Sequence, residues 1–165
     1  NGININGEYF ARVNGGGWEK EGDNLVVNEG LVHVLNVALG ATAKPAGYFL
    51  ALFSGSTTPA ANWTAASFAA VANEIVSQTE GYTGATRPAW TPAAATAGSI
   101  DNLASAAQMT IATTGTLNVT GAALLTNSQR GGTTGVLVSA SAFAAPRVFQ
   151  AGDLYELGYR LNATV

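Results

Sequence analysis

The sequence predicts a mainly β protein, an antiparallel β-sandwich or jelly roll with one or two short helices in its N-terminal half. Three observations support this class. The last stretch of the chain alternates between apolar and polar side chains, short apolar runs end at Gly or Pro, and helical spacing is confined to the first half. Many short strands combined with few helices are typical of sandwiches and jelly rolls.

The first residues are predicted to form an arm, residues 1–23, ahead of a single β-sandwich domain over residues 24–165. The arm is rich in Asn and Gly, with one short strand around Tyr9 and Phe10 and a glycine-rich turn before Trp18. Terminal segments of this composition are often ordered only against a neighbouring molecule. We therefore expect residues 1–18 to reach a neighbouring subunit and to become ordered there.

Two helices are predicted in the N-terminal half. The first covers residues 28–39, with Asn28 as its N-cap. Its apolar residues at helical spacing are expected to face the core: Leu31, Val34, Leu35, Ala38 and Leu39. His33 lies off this stripe, which predicts an exposed position or one at its rim. The second helix is predicted over residues 64–75, with Thr64 as its N-cap.

Strands are predicted on either side of the chain's midpoint. Residues 47–54 form a continuous apolar run bounded by glycines, which predicts a strand buried on both faces. The other predicted strands are 108–111, 117–125, 136–143 and 155–165. Within residues 117–125, the odd-numbered positions are predicted to share one face. Asp101 and Asp153 precede strand-like runs and are predicted to be turn or cap residues.

A segment with two large aromatic side chains and two prolines, residues 80–92, stands out in a chain built largely from Ala, Thr, Gly and Ser. Its prolines exclude a helix interior or a central strand, so it is predicted to cross an edge of the sheet in an extended conformation. Trp90 is expected in the core or in a subunit interface. Arg87 is expected either on the surface beside Trp90 or as an anchor in a subunit contact.

The composition argues against several classes of function. A net charge of −3 predicts no nucleic-acid partner, since proteins of that class need clustered Lys and Arg. No apolar run of membrane-spanning length occurs, so no membrane partner is predicted. Without Cys and with a single His, neither a metal nor another cofactor is expected. Charged residues make up only 10%, which predicts that part of the surface meets other protein.

No catalytic residues are predicted, and the chain is not expected to be an enzyme. A Ser-His-acid triad would have to use His33, and no Gly-x-Ser-x-Gly turn occurs. Glu19, Glu21 and Asp23 lie in a glycine-rich segment and are predicted to form a solvated patch. The alternative of a polysaccharide- or peptidoglycan-degrading enzyme requires two carboxylates that face one cleft.

The order of these features resembles a family of small virion structural proteins of tailed bacteriophages. The likeness covers residues 24–163 and rests on these segments: Asn28–Val37, Tyr48–Phe53, Gly81–Trp90, Ile100–Asn102 and Gly152–Leu161. It implies a capsid cement or decoration protein without enzymatic activity that binds the major capsid protein. It also implies a jelly roll, a homo-oligomer such as a dimer or trimer, and a place on the virion surface after assembly in the host cytoplasm.

Five residues are candidates for the interface with the shell or with a second copy: Tyr9, Phe10, Trp18, Arg87 and Trp90. Arg and the large aromatics are enriched where binding energy concentrates in interfaces. An alternative function is a tail- or fibre-associated domain that binds a host glycan, with Trp18, Trp63 or Trp90 stacked on a sugar ring. Another alternative, a secreted adhesin or pilus subunit, is disfavoured because the first residues lack the pattern of a signal peptide.

Overall fold

An antiparallel sheet of ten strands carries two α-helices in a computed structural model that describes residues 2–165. The strands are β1 (Asn4–Val13), β2 (Glu19–Val26), β3 (Tyr48–Phe53), β4 (Gly81–Tyr82), β5 (Ala89–Trp90), β6 (Ser99–Asp101), β7 (Ala107–Ala112), β8 (Thr116–Leu125), β9 (Leu137–Gln150) and β10 (Leu154–Thr164). The helices are α1 (Asn28–Ala38) and α2 (Ala65–Val71), with a 3₁₀ turn at Leu103–Ser105. The predicted class, a mainly β antiparallel protein with two short N-terminal helices, is confirmed.

The sheet curls until its two end strands approach each other. Its strand order is β4-β7-β10-β1-β2-β9-β8-β3-β5, so β4 and β5 lie at opposite ends. Only residues 83–88 join these two strands, so Tyr82 and Ala89 are at most about 25 Å apart. The segment at 80–92 therefore crosses between the two sheet edges, as predicted, but it bends at residues 83–85 and is not extended throughout.

The N-terminal residues belong to the middle of the sheet, so the prediction of an arm over residues 1–23 is wrong for the residues that form β1 and β2. β1 pairs with β10 along its whole length, from Asn4 opposite Thr164 to Val13 opposite Tyr155, and with β2 on its other side. Every second residue of β1 from Gly7 to Ala11 is buried, a strand period that is not visible in its sequence because Asn and Gly interrupt the apolar residues. Gly7 belongs to the buried face because a Cβ there would lie 2.4 Å from the Tyr159 hydroxyl.

The core consists of two clusters on opposite faces of the β3-β8-β9 layer. The first fills the space inside the curled sheet and contains Tyr9, Leu50, Met109, Leu124, Tyr155 and Tyr159, among others. The second lies under α2 and contains Phe53, Trp63, Phe68 and Leu137. Strand β3 sends alternate side chains into both clusters, which confirms that residues 47–54 include a strand buried on both faces.

An irregularity in the pairing of β8 with β9 overturns the single face predicted for the odd-numbered residues of β8. The register with β9 shifts between Val119 and Gly121. Before the shift, Leu117 and Val119 face the inner cluster, whereas after it Ala122 and Leu124 do so. The alternation of β8 is reversed across this irregularity, so Ala123 and Leu125 face the second cluster.

Local capping signals were reliable at α2 and at the turns. Thr64 accepts a hydrogen bond from the backbone N–H of Ser67, and the Ser67 hydroxyl accepts one from the N–H of Thr64. Asp101 accepts from the N–H of Leu103, and Asp153 accepts from the N–H of Gln150.

Among residues 2–165, no helix has both the length and the apolarity needed to cross a membrane.

Candidate interaction surface

Helix α1 turns most of its apolar side chains toward solvent, which overturns the prediction that Leu31, Leu35, Ala38 and Leu39 face the core, whereas Val34 is half-buried. Val32 is 58% exposed, Leu35 56% and Leu39 85%. Leu31 is also exposed, and the buried residues of the helix are Gly30 and His33. We call the four exposed side chains Leu31, Val32, Leu35 and Leu39 the α1 face.

Two residues of the first turn hold α1 in this orientation. Gly30 lies directly on β9, because a Cβ at this position would be 2.1 Å from the carbonyl oxygen of Val138. The Glu29 carboxylate accepts the backbone N–H of Ala65 at 2.8 Å and that of Leu137 at 2.7 Å. Glu29 thereby ties α1 to α2 and to β9, whereas Asn28 is the first helical residue and not the predicted N-cap.

His33 supports the inner side of the helix and is buried, contrary to its predicted place at the rim. Its Nε2 lies 2.9 Å from the hydroxyl of Tyr48, and the two rings meet edge to face. Burial lowers the pKa of His33 below its ordinary value because it penalises the charged imidazolium, and the nearby Glu29 carboxylate opposes this shift. The neutral form of the imidazole is therefore the one that is favoured while His33 is packed between α1 and Tyr48.

An apolar cavity of about 510 Å³ adjoins α1, lined by side chains that include Val34, Tyr48, Phe49, Trp90, Ile100 and Leu161. Trp90 forms part of the cavity wall and is otherwise buried in the inner core. The core was one of the two places predicted for it, the other being a subunit interface. Its indole Nε1 donates to the carbonyl oxygen of Tyr159 at 3.0 Å, and its ring meets Tyr48 edge to face. The cavity opens to solvent at Lys44, Ala46 and Thr91, which are exposed.

Arg87 lies in the interior, so both of its expected surface positions are corrected. Its guanidinium donates two hydrogen bonds to the Glu74 carboxylate and two more to the carbonyl oxygens of Asn127 and Gly132. The side chain is fully covered and joins the segment after α2 to the β8–β9 connection. Arg87 cannot contact a partner in this conformation.

Arg130 forms a second buried arginine junction that sequence reasoning missed. It donates to the carbonyl oxygens of Ile75, Ser77, Tyr82 and Gly84. Its guanidinium lies 3.7 Å from the centroid of the Tyr82 ring. The glycines that follow Arg130 predicted only a turn, and no local pattern indicates that a cation binds four distant carbonyl groups.

The remaining candidate interface residues differ in their exposure. Tyr9 is buried, with its hydroxyl 3.1 Å from that of Ser139. Phe10 is half-buried under the guanidinium of Arg160. Trp18 stays exposed beside Arg12, whereas Trp63 and Trp90 are buried and cannot stack on a sugar in this conformation.

The acidic segment after the first turn is a bonded network, which corrects the prediction of a solvated patch for Glu21, whereas Glu19 and Asp23 are exposed as predicted. Glu21 is buried and binds the guanidinium of Arg147, which also pairs with Glu19. The hydroxyl of Tyr155 donates to Glu21 at 3.2 Å.

Across residues 2–165, no group of three or more His, Asp or Glu side chains is placed to hold a metal ion.

No protein-family model matches the chain, and no curated protein matches its sequence.

Proposed function

We propose that the protein is a capsid cement or decoration protein of a tailed bacteriophage, without enzymatic activity, that binds the outer surface of the major capsid protein shell. The observation that carries the proposal is the α1 face, four large apolar side chains turned to solvent on a helix fixed by Glu29 and Gly30. The resemblance of residues 24–163 to small phage virion proteins supplies the class of partner. The proposal includes assembly in the host cytoplasm and a final place on the virion.

The energetics favour a protein partner for this helix. Full burial of one Leu or Val side chain contributes about 1.5–3 kcal/mol. Burial of the exposed parts of Leu35, Leu39 and Val32 would offset a useful part of the cost of association. The outer side of α1 has no lysine or arginine, so a partner need not desolvate a cation there. The α1 face could therefore form the apolar centre of an interface with a protein partner.

Repeated copies on a shell would strengthen a weak single contact. A dimer or trimer that engages several capsid subunits makes the second contact intramolecular, which raises the overall affinity without new interactions. Self-association as a dimer or trimer is therefore part of the proposal.

The bonding of the carboxylates favours a structural role over a catalytic one. Glu21, Glu74 and Glu156, the buried acids, each bind an arginine: Arg147, Arg87 and Arg12, respectively. For Glu156, the hydrogen bonds from Arg12 lower its pKa and keep the group ionised. A general acid requires the opposite shift, toward a raised pKa.

The test is a binding titration on shells of the parent phage that have been stripped of this protein. We expect Leu35→Glu and Val32→Glu to lower shell affinity at least tenfold, because each places a charge in an apolar contact. Val148→Glu is the matched control, since Val148 is similarly exposed on β9 but pairs with Asn118, six residues or roughly 20 Å along β8 from Leu124, which pairs with Ser139 next to Val138. Equal binding by all three variants would contradict the proposed role of the α1 face.

The location on the particle tests the function itself. An image reconstruction of the parent virion should place the chain on the outer surface of the head. A location on the tail would instead support the glycan-binding alternative, and absence of the chain from virions would reject both.

A further inference from the structure

One charged side chain stands apart from all others within residues 2–165. All ten carboxylates accept a hydrogen bond or pair with a cation. Five of the cations form ion pairs: Arg12, Lys20, Arg87, Arg147 and Arg160. Arg130 binds backbone carbonyls. Only Lys44 has no bonded partner among the described residues, and its side chain is exposed.

Lys44 lies at the mouth of the apolar cavity beside α1. It is the only charged residue in a lining that consists mainly of aliphatic and aromatic side chains. The cavity of about 510 Å³ falls within the range of pockets that enclose a small ligand or an anchoring side chain. A free ammonium group at the rim of an apolar cavity complements a ligand that has a carboxylate next to an apolar group.

We infer that the cavity binds an exposed segment of the capsid shell protein, with an aliphatic or aromatic side chain inside it and an adjacent Asp or Glu on Lys44. This inference rests on the proposed function and names the chemistry of the partner. An anchor side chain in a well-formed pocket commonly supplies much of the binding energy of an interface. The acidic neighbour then fixes the register of the segment.

Continuity with the α1 face favours a protein segment over a free small molecule. Val34 of α1 lines the cavity, and Lys44, Ala46 and Gly47 lie on the connection that leaves the same helix. A partner seated on the α1 face therefore lies next to the cavity, because Val34 belongs both to the helix and to the lining. The apolar contact and the charged contact thus belong to one continuous site.

Zero-length crosslinking with a carbodiimide tests the charged contact on shells loaded with the wild-type protein. This reagent joins an amine to a carboxylate that touches it, so we expect a bond between Lys44 and an Asp or Glu of the shell protein. Mass spectrometry of the crosslink identifies the segment, which should have an aliphatic or aromatic residue within two positions of the acid. Lys44→Arg should retain binding within about threefold and lose the crosslink, because a guanidinium keeps the charge but does not react.

Three variants separate the inference from the proposed function. Lys44→Glu should weaken shell binding at least tenfold, through repulsion of the acid. Ala46→Phe should do the same by filling the cavity, whereas Ala43→Phe, exposed on the same connection but outside the lining, should stay within about twofold. If the wild type does not bind shells, the proposed function is rejected. If it binds and Lys44→Glu and Ala46→Phe bind equally well, only the cavity inference is overturned.

A small-molecule ligand is the remaining outcome. Decanoate, decanol and decyltrimethylammonium can be titrated by calorimetry against the free protein. We expect none of the three to bind with a dissociation constant below about 100 µM. Tight binding of decanoate alone, lost in Lys44→Glu, with no crosslink to the shell, would assign the cavity to free carboxylates and overturn the inference.

Discussion

Arg87 and Glu74 form a bidentate ion pair with both side chains completely covered, Nε to Oε1 at 2.7 Å and Nη2 to Oε2 at 2.8 Å. The pair joins the segment that follows α2 to the connection between β8 and β9. Glu74 also accepts the backbone N–H of Gly131 at 2.9 Å. The covered pair therefore fixes the loops at one end of the curled sheet.

Breaking this pair should be costly. We expect Arg87→Met to lower the free energy of unfolding by about 3–5 kcal/mol, because it leaves the Glu74 carboxylate buried without its partner. Urea denaturation measures the loss. The double variant Arg87→Met/Glu74→Leu should be more stable than Arg87→Met alone, since it removes the uncompensated charge. Lys20→Ala, in a solvent-exposed pair, should cost no more than about 1 kcal/mol.

The outward orientation of α1 predicts that its leucines contribute little to stability. Leu39→Ala should change the free energy of unfolding by less than about 0.5 kcal/mol, because the side chain is 85% exposed. Leu50→Ala, fully buried in β3, should cost about 2–5 kcal/mol. Equal losses at both positions would mean that the stripe of α1 is buried, as the helical periodicity predicted.

Gly30 should be intolerant of even one added methyl group. Gly30→Ala would place Cβ against the backbone of Val138, so we expect a loss of about 1–3 kcal/mol or a displaced α1. Gly115→Ala is the matched control, since a Cβ there meets no atom within 4 Å. A Gly30→Ala protein with wild-type stability and an unchanged amide spectrum for α1 would contradict the close approach of helix and strand.

His33 should make stability depend on pH. Its pKa is depressed in the folded protein by burial, so the unfolded chain binds the proton first as the pH falls. The stability that the neutral ring supports is present above the ordinary histidine pKa of 6.5 and is lost as the pH falls toward the folded value. His33→Gln removes this titration; Glu29 and Tyr48, which face the ring, stay in place. Between about pH 7.5 and 5.5, the variant should therefore lose less stability than the wild type. Parallel denaturation curves would contradict this assignment.

Several parts of the fold were predictable because their signals are local. The alternation from Tyr155 onward predicts β10, and the apolar run at 47–54 predicts β3, since burial on one or two faces follows directly from the strand period. The cap at Thr64 depends only on Ser67, three residues away. The exposure of Lys44 is what a lysine in a connecting segment predicts, but no local pattern indicates that this cation lacks a bonded partner.

The sequence by itself determined both helices and the strands β3, β7, β8 and β10, because backbone preference and side-chain period act over a few residues. It did not determine β2 or the length of β1, where many Asn and Gly residues predicted an arm. Tertiary structure alone decided which face of α1 is covered, because Gly30 lets one side of the helix approach β9 more closely than its leucines could. It also decided that Arg87 is interior, since its partners are distant in the chain and only the curl of the sheet brings them together. The same long-range packing leaves the α1 face and Lys44 free for a partner.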